Sequence, residues 1–276
     1  MIKQLNRYSL LFTFHLGILL LFNLLFSTST LNGGVFSRRP VPKVLILIIA
    51  SDDFPVYQKF QKIWQSYMNS DEDHIKAYFL KADPNLPNKV QVKGDTIWSK
   101  TEENLYPGIL IKTIYALETF QTRLDDFDYI YRTNLSSFII YPNLLKFLRT
   151  LPKKRCYAGK IDFHTDKTLS WACGNGIILS RDMAKLILNH KDELLDKAYF
   201  GYDDVILGGF FQREAISLLS APRTDFYSLD DWYEKKKKIP ANAFCIRTKC
   251  APHLREQHDI HMHQKLLKRY YGRVKK

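Results

Sequence analysis

The 276-residue sequence has no internal repeat, and its one low-complexity stretch is the lysine run Lys235–Lys238. A repeat array is thereby excluded, and the lysine run reads as a solvated loop. Cysteine is scarce: there are four, Cys156, Cys173, Cys245 and Cys250. The only close pair has the spacing CxxxxC, a poor zinc signature, although in an oxidising compartment Cys245 and Cys250 would be able to close a short loop. Acidic residues are outnumbered, 28 against 41 basic ones, which leaves a formal charge of +13. That excess suits a phosphate-bearing ligand, a membrane face or nucleic acid, and it equally suits a lysine-rich solvated surface. No nucleic-acid-binding motif accompanies it, so no nucleic-acid partner is expected. What the chain has in quantity is apolar surface, 46% hydrophobic and 14% aromatic residues, too much for a disordered polymer. The length suits one large domain.

The longest apolar run is YSLLFTFHLGILLLFNLLF, residues 8–26, with no Asp, Glu, Lys or Arg. As a helix it would reach about 28 Å, near the hydrocarbon thickness of a bilayer. Lys3 and Arg7 precede it and favour a cytoplasmic N-terminus, while Arg38, Arg39 and Lys43 follow it and pull the other way. A cleaved signal peptide is the alternative, since the small residues of STST follow Phe26. The run exceeds a signal core of about 7–15 residues, which favours a retained type II anchor. The expected organisation is a cytoplasmic tail (1–7), a transmembrane signal anchor (8–26), a Ser/Thr/Gly/Pro stem (27–42) and a catalytic domain (43–276). The expected location is the lumen of the Golgi or another secretory compartment. His15 and Asn23 are read as passengers within the span.

KVLILIIA (43–50) has the continuous apolar character of a strand buried on both faces. Residues 56–68 carry Val56, Phe60, Ile63, Trp64 and Tyr67 near helical spacing, behind a Pro55 placed to start a helix. IKAYFLKA (75–82) reads as a strand, 109–120 as a helix, FDYIYRT (127–133) as a strand, and 144–148 as a helix opened by Pro142 and Asn143. Leu266, Leu267, Tyr270 and Tyr271 suggest a final helix docked on the domain. Alternating strands and helices predict an α/β fold, a mostly parallel sheet with helices on both faces. Ligands of such sheets sit beyond the carboxyl ends of the strands.

Three segments stand out: Arg132-Thr-Asn-Leu-Ser-Ser-Phe138 closing a strand, Trp171-Ala-Cys-Gly-Asn-Gly-Ile-Ile-Leu-Ser180, and Gly201-Tyr-Asp-Asp-Val-Ile-Leu-Gly-Gly209. In this order and spacing, over residues 43–216, the chain resembles the β-1,3-galactosyltransferase and Fringe-like glycosyltransferases of the GT-A (Rossmann-like) fold. The resemblance implies an inverting transfer of a sugar from a nucleotide-diphosphate donor, such as a UDP-sugar, to a hydroxyl of a glycan or glycoprotein. It places Asp204, with Asp203 beside it, at the catalytic base. A carboxylate in that position takes the acceptor proton, and a like-charged neighbour raises its pKa. Either aspartate would also serve as a helix N-cap.

One departure is plain. Where the family carries a metal-binding Asp-x-Asp, this chain has Asn134-Leu135-Ser136, which offers oxygen but no charge to Mn²⁺ or Mg²⁺. Three readings follow: shared or weak metal binding, neutralisation of the diphosphate by Arg132, Arg247 and Lys249, or lost activity. The last would make the chain a tethered glycan-binding or chaperone-like module. Asn134-Leu-Ser is also a glycosylation sequon. Ser51, Asp52 and Asp53 follow the first strand and are expected near the nucleoside, with Arg132, Asn134 and Ser136 toward the diphosphate. Gly174, Asn175 and Gly176 would let backbone approach an acceptor sugar, on which Trp171 would stack; a tight turn and a core tryptophan are the plainer alternatives. His253 is the first choice for a late metal ligand, ahead of His258, His261 and His263.

Overall fold

The computed structural model describes residues 40–272; the tail, the apolar run 8–26 and the stem as far as 39 lie outside the described residues. Among the described residues no helix is long and apolar enough to cross a membrane. Val41 and Pro42, expected in the stem, already pack on the domain, Pro42 buried and Val41 against the core.

The main elements in chain order are β1 (Val44–Ile49), α1 (Pro55–Gln65), β2 (Ile75–Ala82), β3 (Val90–Lys93), β4 (Thr96–Ser99), α2 (Gly108–Thr119), β5 (Tyr129–Asn134) and β6 (Ser137–Ile139). Then come α3 (Tyr141–Leu148), β7 (Tyr157–Gly159), β8 (Ile161–Phe163), β9 (Ser170–Ala172), β10 (Ile177–Ser180), α4 (Arg181–Asn189) and α5 (Lys191–Lys197). The last are α6 (Asp203–Arg213), β11 (Leu218–Ser220), β12 (Thr224–Phe226), α7 (Leu229–Lys235), β13 (Cys245–Thr248) and α8 (Arg255–Tyr271).

An eight-stranded sheet runs β11-β7-β10-β5-β1-β2-β4-β3. It is mostly parallel: only β10 and β3 oppose their neighbours. β1 lies at its centre because VLILII is apolar on both faces. Val44, Ile46 and Ile48 join one core with Phe60 and Trp64 of α1, Leu144 of α3 and Leu266 of α8. Leu45 and Leu47 join the other with Ile114 of α2, Ile187 of α4 and Phe211 of α6. Helices thus cover both faces, with α1 begun by Pro55 at its first turn.

Several local expectations shift. The helix beginning at Pro55 ends at Gln65 and continues as turns. The polar stretch after β2 holds an antiparallel hairpin, β3–β4. Lys236–Lys238 form a short 3-10 helix rather than a loop, with Lys237 and Lys238 exposed. All four cysteines are free, Cys245 and Cys250 both buried, so the loop closure foreseen between them is absent.

β1 pairs in parallel with β5, Ile49 opposite Asn134. Two turns therefore leave the sheet side by side at the carboxyl ends of adjacent strands: Ser51–Asp53 and Asn134–Ser136. Past the second turn, β6 leaves the large sheet and pairs with β13 in a three-stranded sheet, β12-β13-β6. The chain splits between two sheets at Asn134, and a crevice opens there.

Candidate active site

The crevice has two adjoining compartments. The first, about 310 Å³, is lined by Ser51, Asp53, Phe54 and Tyr57 after β1, by Glu103, Asn104 and Leu105 before α2, and by Asn134, Leu135, Ser136 and Arg255. The second, about 460 Å³, is lined by Arg132, Asn134, Asp162, Trp171, Cys173, Gly174, Asn175, Tyr202, Asp203, Asp204, Arg247 and Lys249. Ile49, Leu105, Ile109 and Asn134 border both. Asn134 therefore stands at the junction.

The walls of the first compartment mix polar side chains with aliphatic ones and the two rings of Phe54 and Tyr57. Phe54 meets Tyr57 edge-on at 5.5 Å, and the Arg255 guanidinium lies 5.8 Å from the Tyr57 ring while bonded to Asp259. Glu103 forms an ion pair with fully buried Lys112 and accepts a bond from the Ala82 amide at 3.1 Å. Burial pushes the Glu103 carboxyl up and the Lys112 ammonium down, each offset by the other's charge.

In the second compartment the two adjacent aspartates have different surroundings. Asp203 is buried and paired with Arg132, which is 3% exposed. Burial raises the Asp203 carboxyl, and Arg132 pulls it back. Asp204 is half-buried and faces the cleft. Its Oδ2 accepts from the Gly174 amide at 2.9 Å and its Oδ1 from the Val205 amide at 3.0 Å. It also sits in the first turn of α6, where the helix dipole favours a negative charge. Gly174 is required by this approach: a Cβ there would lie 2.8 Å from Arg132 Nη1 and 3.1 Å from Asp204 Oδ2. Gly208 does the same a helical turn further along α6, where a Cβ would lie 2.6 Å from the Trp171 Cβ. β9 and α6 thus pack at a distance only glycine allows.

The residues at the junction do not fit a divalent cation. Asn134 Oδ1 already accepts from Ser136 Oγ at 2.9 Å and from Ser137 Oγ at 3.4 Å. Among the described residues no group of three or more His, Cys, Asp and Glu side chains could hold a metal ion. A hard cation that sheds water reluctantly is usually held by one or two carboxylates together with waters and substrate phosphates, and Asn134 and Ser136 supply no carboxylate. His253 is exposed and borders neither compartment. The other late histidines do not converge: His263 is buried against the Phe60 and Phe138 rings, whereas His261 faces Tyr233. Nor is Asn134-Leu-Ser an exposed loop, since Leu135 is 4% and Ser136 8% exposed.

Of the residues expected at a site, Ser51, Asp53, Asn134 and Ser136 meet in the first compartment. Arg132, Trp171, Gly174, Asn175, Asp203, Asp204, Arg247 and Lys249 meet in the second, with Asn134 shared. Asp52 turns away to Lys81 at 2.7 Å and Gln61 at 3.0 Å, because Lys81 on β2 is nearly buried and needs a counter-charge. Gly176 packs against the Tyr131 hydroxyl instead of lining the cleft. Sequence reasoning did not single out Glu103, Asp162, Tyr202 or Arg255. Only Lys112, a charge flanked by Ile111 and Ile114 in the apolar part of the helix GILIKTIYALET, hinted at the buried pair with Glu103. At the mouth, exposed Tyr106 and Tyr202 meet edge-on at 5.7 Å.

No protein-family model and no curated protein matches the chain. Among solved structures it is similar to a glycosyltransferase involved in the glycosylation of the major capsid of PBCV-1. The identity is 12% and the TM-score 0.46, over 78% of this chain and 99% of that one.

Proposed function

We propose that the chain is an inverting glycosyltransferase of GT-A type, moving a sugar from a nucleotide-diphosphate donor to a hydroxyl of a glycan or glycoprotein. One observation carries this reading: Asp204, an accessible carboxylate held by two backbone amides, shares a compartment with Arg247 and Lys249, which have no ion-pair partner among the described residues. An aromatic slot adjoins them across Asn134. Base and cations share one compartment and the slot adjoins it, which suits an acceptor, a diphosphate and a nucleoside.

In this reading the base stacks in the first compartment near Phe54 and Tyr57, and Asp53 accepts from the ribose hydroxyls. The acceptor passes Tyr106 and Tyr202 and lies against Trp171. Its hydroxyl gives its proton to Asp204 as the oxygen bonds to the anomeric carbon, and the carbon–oxygen bond to the diphosphate breaks on the opposite side. Asp203 is a positioning residue here, since its carboxylate is committed to Arg132. The apolar run 8–26 would anchor the domain as a single-pass type II protein in the Golgi or another secretory lumen.

A second reading, a tethered glycan-binding or chaperone-like relative without activity, is favoured by the missing carboxylates at Asn134 and Ser136. A donor-hydrolysis screen over nucleotide sugars separates the two. Hydrolysis of at least one donor, lost in Asp204→Ala, is expected; a chain that turns over no donor yet binds free glycans belongs to the second reading.

A further inference from the structure

We infer that this cleft neutralises the departing diphosphate without a divalent cation, through an anion hole built from Arg247, Lys249 and the side-chain amide of Asn175. The inference rests on the proposed glycosyl transfer and adds the group that receives the leaving charge. As the anomeric carbon–oxygen bond breaks, the bonding pair stays with the diphosphate, which leaves one unit more negative than it was in the donor. The acceptor proton goes to Asp204. Something must meet the new charge on the diphosphate.

The junction residues cannot, because Asn134 and Ser136 are neutral and bonded to each other. Arg132 is already matched by Asp203. Arg247 and Lys249 are different. Arg247 lies on β13 between Asp225 of β12 and Ser137 of β6. Asp225 is engaged by Arg223 at 2.6 Å and Lys160 at 2.7 Å, and Arg247 forms no ion pair of its own among the described residues. Its Nε is buried without a hydrogen-bond partner among the described residues, a state that costs free energy. Desolvation and the Arg223 charge push its pKa down, and the Arg247 charge in turn pushes Lys249 down. Two like charges held together with no anion between them are relieved by one. Together they carry the charge of one divalent ion.

Asn175 completes the hole. It is 5% exposed and lines the same compartment. Its Oδ1 accepts from Arg223 Nη1; a guanidinium only donates, so the amide orientation is fixed and Nδ2 must face the other way. That Nδ2 is buried and has no partner among the described residues. The backbone is equally fixed, because the Asn175 carbonyl accepts from Thr133 Oγ1 at 3.0 Å and Ser137 Oγ at 3.1 Å. A preorganised donor with nothing to bond to is what an oxyanion site requires.

The test is calorimetric titration of the full-length chain in mild detergent with UDP, GDP, uridine and guanosine, in EDTA and in MnCl₂. One diphosphate should bind in EDTA at least about tenfold tighter than its nucleoside, and Mn²⁺ should change its affinity less than about threefold. Arg247→Gln and the exposed, fold-neutral Lys249→Gln should each weaken the diphosphate about 10- to 100-fold and leave the nucleoside unchanged. Asn175→Ala should weaken it about 3- to 10-fold. Diphosphate binding that requires Mn²⁺, or an unchanged affinity in Lys249→Gln, overturns the anion hole and leaves the transferase reading standing. If no nucleoside or diphosphate binds under either condition, both fall.

Discussion

His263 gives the sharpest physical test, because it needs no knowledge of the substrate. The imidazole is fully buried on α8 between the Phe60 and Phe138 rings, and its Nε2 lies 3.3 Å from the Ser136 carbonyl at the cleft junction. Burial pushes its pKa from 6.5 down to about 4, against the opposing pull of Asp259 and of the bond to Ser136. In the unfolded chain the group takes up a proton as the pH falls through 6.5, while in the folded chain it stays neutral until about 4. The unfolded state therefore binds more protons across that window, and stability falls as the solution is acidified. At about 1.4 kcal/mol per unit, the loss between about pH 7.5 and about pH 5 is roughly 2 kcal/mol, approaching 3 kcal/mol near pH 4. His263→Gln keeps a donor toward Ser136 and cannot titrate. Urea unfolding of both proteins across that range should show the wild type losing roughly 2 kcal/mol more than the variant by about pH 5. Identical pH dependence in the two proteins would refute a buried neutral histidine beneath the site.

Asp204→Asn should reduce turnover about 100-fold or more in a donor-to-acceptor assay. It should also cost about 1–3 kcal/mol of stability in urea unfolding, since Asp204 accepts from two backbone amides and asparagine has one side-chain oxygen. Cys173 is the half-buried thiol lining the cleft, whereas Cys156, Cys245 and Cys250 are buried. Burial holds the Cys173 thiol above its usual pKa and drives Cys156 and Cys250 up to about 12. A maleimide should therefore label the native protein slowly at Cys173 and at the other three only after unfolding, and a nucleoside diphosphate should slow the Cys173 reaction. Mass spectrometry of the labelled peptides checks this.

The local pattern carried the central fold. VLILII and IKAYFLKA are apolar runs of strand length, the helix at 55–65 follows 3.6-residue periodicity, 108–119 is an apolar run of helix length, and these properties belong to the chain itself. The same pattern placed the turns after β1 and β5 at the cleft, because the carboxyl ends of parallel strands are where an α/β sheet opens. The short strands β6 to β13 were not legible: at three or four residues they are held by partners far along the chain, as β6 is by β13. The site divided on the same line. Residue type and order singled out Asp203, Asp204, Arg132 and Asn175, but which carboxylate faces the cleft depended on where Arg132 lay across β5 from α6. Only the folded chain could set Asp203 to answer a buried guanidinium and leave Asp204 open, send Asp52 to Lys81, and turn the Asn175 amide by means of Arg223. Each of those outcomes is fixed by the cost of leaving a buried charge or donor unmatched, and that cost arises only after tertiary packing has removed the water.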